Sequence, residues 1–127
     1  MKVLRASVIF QSTDRQAALR RYERLFATRP ENEFQIPGRE LVVNAFAGFS
    51  VLSGSSEALA PVLDLRATVF VDSLQGIEEQ LAETGWTKEG TLGPTGSSLL
   101  VRDLDGNLLE LVQVPADESA KMVSPHS

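Results

Sequence analysis

Cysteine is absent from the chain. That excludes disulfides, a thiolate nucleophile and any Cys-ligated zinc or iron–sulfur centre, and it fits a reducing compartment. Histidine is nearly absent: the single imidazole, His126, lies in a polar terminal stretch, so a Ser-His-Asp triad is not expected. Positive charge is scarce. Twelve Lys and Arg face 17 Asp and Glu, a formal net charge of -5, which argues against a nucleic-acid partner. The one local basic run, Arg15, Arg20, Arg21 and Arg24, interleaves with Asp14 and Glu23 and reads as a solvated helix face. No apolar run approaches the roughly 18–20 residues of a membrane span. The opening MKVLRASVIF is short and broken by Arg5, unlike a signal peptide. A cytoplasmic location with no membrane partner is the expectation.

What is present suits one compact domain of 127 residues, 43% hydrophobic and 23% charged. Residues 3–11 alternate and carry β-branched side chains, which predicts a strand. The STD at 12–14 offers N-caps for a helix over 14–27, with Ala18, Tyr22, Leu25 and Phe26 as its apolar stripe and Pro30 beyond its end. Strands are predicted over 33–36, 40–47 and 49–53, and a connector over 54–61. The pattern then restarts. A strand over 63–71 is followed by a helix capped by Asp72 or Ser73 and ended by Gly85, then by strands beginning at Trp86, Ser97 and Leu108. Asp105-Gly106 marks a hairpin between the last two. Residues 90–98 form a Gly-rich loop that lacks a phosphate-binding pattern, and 115–127 are expected to form a flexible tail.

The two halves align at a constant offset. Val8 meets Ala67, Phe10 meets Val69, Asp14 meets Ser73, Ala18 meets Ile77 and Tyr22 meets Leu81. This predicts two copies of one βαβββ unit, about 3–54 and 63–114, in a single domain over 1–114. A repeated βαβββ unit whose last strand pair carries Asp103, Asp105, Gly106, Asn107, Glu110 and Leu111 resembles the vicinal oxygen chelate superfamily, which includes glyoxalase I, extradiol dioxygenases and bleomycin resistance proteins. The resemblance implies an α+β fold with a curled mixed sheet, a concave cleft and a homodimer.

It also implies where a chelated divalent metal would sit: at the first and last strands of each unit, here Ser7, Leu52, Arg66 and Glu110. Only Glu110 is a metal-ligand type, so neither a metal nor another cofactor is expected. Glu110 is expected to pair with Arg66, because a buried acid needs a partner. Strand parity assigns Ala6, Val8 and Phe10, and Leu65, Ala67 and Val69, to the helix-covered faces. The cleft lining is then Ser7, Ile9, Gln11, Leu52, Arg66, Thr68, Phe70, Leu108, Glu110 and Val112, apolar walls with a few polar points, as in small-molecule sites. Trp86 is read as a core or interface anchor. Three functions stay open. One is a metal-free binder of a small organic ligand, aromatic or antibiotic, as in the bleomycin resistance branch. The second is a lyase, isomerase or dioxygenase using Glu110 with or without a metal, and the third a structural role with the cleft filled.

Overall fold

The computed structural model describes residues 1–92 and 97–115. Its elements are β1 (Val3–Ser12), α1 (Arg15–Phe26), β2 (Asn32–Ile36), β3 (Leu41–Ala45), β4 (Phe49–Ser53), α2 (Ser56–Leu59), a 3-10 turn (Ala60–Val62), β5 (Leu65–Val71), α3 (Ile77–Thr84), β6 (Thr87–Gly90), β7 (Ser98–Arg102) and β8 (Leu108–Gln113). The class is α+β with two βαβββ units, as the repeat predicts. In each unit the first strand runs parallel to the last, β1 with β4 and β5 with β8, and the other described pairs are antiparallel. None of the described helices is long and apolar enough to cross a membrane. The predicted tail lies outside the described residues from position 116, as do residues 93–96 of the Gly-rich loop.

The chain divides into two compact units, one of Ser7–Asp64, the other of Met1–Ala6 with the residues from Leu65 onward. In the first, α1 covers a core of Ala18, Phe46 and Val51, joined by Leu19, Tyr22 and Phe49. Asp14 caps this helix: its Oδ1 accepts the Ala17 N–H at 3.1 Å. The helix stops before Pro30 comes into play, because Ala27 turns left-handed and Thr28 N–H bonds back to the Glu23 carbonyl. Only part of the predicted stripe is buried. Leu25 is 74% exposed and Phe26 54%, the Phe26 ring being covered on one side by Tyr22 and Phe49. The Arg15 part of the basic run is not simply solvated. Its guanidinium bonds Asn44 Oδ1 and pairs with Glu33, so α1 is tied to β2 and β3. The segment predicted as a connector contains α2, whose cap Ser55 accepts the Ala58 N–H.

In the second unit, α3 covers Leu81, Val101 and Leu111, with Val69, Leu99, Leu109 and Trp86 against them. This helix starts later than predicted, at Ile77, with Gly76 as its left-handed cap. The expected caps are engaged elsewhere. Asp72 Oδ1 accepts the Lys2 N–H at 2.7 Å, and Ser73 Oγ accepts from Gln75 N–H. The Leu74 N–H is taken by Gln113 Oε1 at 2.7 Å, and a turn closed by Ile77 N–H on the Leu74 carbonyl precedes the helix. Gly85 ends the helix as expected, at φ 82°, with its N–H on the Leu81 carbonyl.

Candidate functional site

The predicted site residues fall into two groups, one in each unit. In the first unit, β1 and β4 register Ile9 with Ser50 and Gln11 with Leu52, so these share a sheet face with Ser7. This face is largely satisfied from within. The Ser7 and Ser50 hydroxyls share a 3.0 Å hydrogen bond and are both buried. Gln11 Nε2 donates to the Val62 carbonyl at 3.2 Å, and Leu52 is 2% exposed.

The second unit concentrates the more open groups. The registers of Thr68 with Glu110 and Phe70 with Val112 put these four on one face, together with the Leu65–Leu108 pair. The register shifts between Leu65 and Ala67, so Arg66 is the extra residue of a β-bulge. Two expectations fail for that reason. Leu65 shares the face of Leu108 instead of lying beneath the helix. Arg66 is thrown outward, is exposed, and makes no ion pair with Glu110 among the described residues. Glu110 is instead bonded by the Thr68 hydroxyl, which donates to Oε1 at 3.0 Å. Ala67 and Val69 pair with Leu109 and Leu111 on the helix-covered face, as parity predicts.

From β7, Leu100 sits opposite Glu110 and Ser98 opposite Val112. Arg5 lies over the Phe70 ring, its guanidinium carbon 5.6 Å from the centroid. Sequence reasoning missed these three. For Leu100 and Ser98 the register across the hairpin was the available signal. For Arg5 there was none beyond its place on the odd-numbered face of β1.

Glu110 is therefore a carboxyl on an apolar sheet face with one neutral partner. Loss of water around it pushes its pKa above the ordinary carboxylate value, and the Thr68 hydrogen bond opposes the rise. Its second oxygen has no partner among the described residues. The nearby Asp103 behaves in the opposite way. Its carboxylate accepts from the Asn107 side chain at 2.9 Å and from the backbone N–H groups of Asn107 and Asp105, which hold its pKa below the ordinary value. Asp103 thus builds the turn that presents β8, and Gly106, at φ 88°, completes it.

The duplication shows which position of the first unit matches Glu110. Val8 pairs with Phe49 as Ala67 pairs with Leu109, so Ile9 answers to Thr68, and Ser50, not Leu52, answers to Glu110. The matching positions are then Ser7 and Ser50 in the first unit and Arg66 and Glu110 in the second. Two hydroxyls bonded to each other in the one, and an outward guanidinium with one carboxyl in the other, do not fit a divalent metal. Among the described residues no three His, Asp or Glu side chains come together.

No protein-family model matches the chain, and no curated protein does. Solved structures do. A variant of methylmalonyl-CoA epimerase from Streptomyces coelicolor, in complex with 2-nitronate-propionyl-CoA, is 14% identical, with TM-score 0.65 over 91% of this chain and 100% of that one. Methylmalonyl-CoA epimerase from Mycobacterium tuberculosis is 18% identical, with TM-score 0.66 over 93% of each chain. At these identities the likeness is one of fold alone. An uncharacterized protein from Methanosarcina mazei is 32% identical, with TM-score 0.77, over 91% of this chain and 95% of that one. The chain belongs to the family of that Methanosarcina mazei protein and has the fold of methylmalonyl-CoA epimerase.

Proposed function

We propose that the chain is a metal-free binding protein for a small organic ligand, comparable to the bleomycin resistance branch of the superfamily. The ligand would sit on the second unit's sheet face around Glu110, with Phe70 and Val112 as apolar walls and Arg66 at the edge. Thr68, Leu65 and Leu108 lie deeper and support that surface. The observation that carries this reading is the half-satisfied carboxyl. Glu110 stands on an apolar face with one oxygen bonded to Thr68 and the other without a partner among the described residues. A ligand with an aromatic or aliphatic body and one N–H or O–H donor complements such a face. On the first unit's own face the Ser7 and Gln11 side chains already bond within that unit, and Ile9 and Leu52 bring no polar atom.

A second reading, proton transfer, is favoured by one feature. A carboxyl whose pKa is raised by lost hydration exchanges protons nearer neutral pH than an ordinary Glu. Glu110 would then accept a proton from a carbon acid seated on the same face. The epimerase relative held with a CoA ester makes acyl thioesters the first substrates to try.

Both readings are tested by thermal unfolding in chelator with aromatic, glycopeptide and acyl-thioester compounds. A binder raises the midpoint in proportion to occupancy. Hydrogen–deuterium exchange at the α-carbon of any stabilising thioester then separates the two: exchange abolished by Glu110→Gln marks an enzyme, and binding without exchange marks a binder. If none of the three classes shifts the midpoint, the proposal fails.

A further inference from the structure

We propose that β2 is a docking edge for a second copy of this chain, paired antiparallel through its own β2 with Phe34 on the twofold axis. Among the described strands, β2 and β6 each have a neighbour on one side only. A free edge presents unpaired backbone N–H and C=O groups to any incoming strand, and bulges, lysine and proline commonly protect it. The two edges differ in this respect. β6 is polar, its register shifts between Lys88 and Gly90, and it carries the ion pairs of Lys88 with Glu78 and of Glu89 with Arg102. β2, NEFQI, holds neither lysine nor proline, and its register against β3 runs unbroken from Asn32–Ala45 to Ile36–Leu41. At its centre stands Phe34, 49% exposed. Its one charge, Glu33, is already taken up: Arg15 pairs with it, and Asn44 Nδ2 donates to its Oε1 at 3.0 Å.

The order of residues along β2 selects the occupant. About a twofold axis through Phe34 all five residues pair with their own copy. Phe34 faces itself, an aromatic pair. Glu33 faces Gln35 twice, a carboxylate against a carboxamide, and Asn32 faces Ile36. No like charges stand opposite one another. Phe34 shares its face with Val43 and Leu52, so the two Phe34 rings continue one apolar row across the axis. Pro30 and Pro37 flank the strand and limit the pairing to its length. No residue of the face around Glu110 takes part, so the dimer edge is independent of the ligand site proposed above.

Sedimentation of the full chain from micromolar to millimolar concentration tests this, with variants at exposed positions of β2. The expected result is a reversible monomer–dimer equilibrium. Gln35→Glu sets like charges opposite each other twice per dimer and should weaken it about fivefold, whereas Gln35→Lys should leave it as tight or tighter. The chain has no cysteine, so an introduced one can bridge only to its own copy. Directly opposed residues have Cβ atoms about 4.5–5.5 Å apart, close to what a disulfide needs. Phe34→Cys should therefore form a covalent dimer on mild oxidation, and Asn32→Cys, which faces Ile36 instead of itself, should not. The bridging comparison reads the register whether or not the Gln35 variants fold as wild type does. A monomer at every concentration, equal association of the two Gln35 variants, or bridging at position 32 as ready as at position 34 would each overturn the proposal.

Discussion

Glu110 owes its character to what surrounds it. Leu65, Leu108, Phe70 and Val112 remove water from its carboxyl, and the Thr68 hydroxyl returns one hydrogen bond. Because its pKa is raised on folding, the native state keeps a proton that the unfolded chain releases at lower pH. The stabilisation this gives is complete below the unfolded value and is lost as pH rises through the native one. Glu110→Gln is therefore expected to flatten that decline and to unfold at a higher temperature than wild type at neutral pH, with the gap closing in acid. Melting curves across pH measure this directly. Thr68→Val removes the only bond to the carboxyl among the described residues, and a loss of about 1–2 kcal/mol is expected by denaturant unfolding. At this scale the sequence marked the right residue and the wrong partner. An acid in the apolar run of β8 is visible from composition alone. The bulge that turns Arg66 outward and leaves Thr68 beside the acid is a matter of register, and strand parity assumes no bulge.

Elements were legible where a side chain caps or terminates them without competition. Asp14 is such a case: its carboxylate reaches the first turn of α1 unopposed. Asp14→Ala should cost about 1 kcal/mol in unfolding free energy, read as a lower denaturant midpoint with an unchanged slope. The equivalent Ser73 looked the same in sequence and does not cap α3. Long-range bonds decide there, from Asp72 to Lys2 and from Gln113 to Leu74, and no local window contains both partners. The apolar stripe of α1 shows the same limit. Helical spacing selected Ala18, Tyr22, Leu25 and Phe26 together. Which of them is covered depends on what packs over each: Leu25 stays exposed, and Phe26 is covered on one side only, by Tyr22 and Phe49. The turn that sets Glu110 in place was readable almost entirely, because Asp103, Gly106 and Asn107 act on their own backbone.

Over the whole chain, the duplicated βαβββ order carries the argument from sequence to fold, and the register within each copy carries it from fold to site. Matching the copies places Ser50, not Leu52, opposite the first-strand position that Thr68 fills in the second copy. In neither copy do the matching positions hold a set of metal ligands: the first has two hydroxyls bonded to each other, the second an outward guanidinium and a single carboxyl. The central claim is that ligand recognition passes through Glu110 and needs no metal. The measurement that tests it most directly is the unfolding midpoint of wild type and Glu110→Ala, in chelator, across aromatic, glycopeptide and acyl-thioester compounds. The account predicts a midpoint that rises with the concentration of at least one compound in the wild type and fails to rise in the variant. A rise that appears in the wild type only after a divalent metal replaces the chelator, or one that survives unchanged in Glu110→Ala, would contradict it.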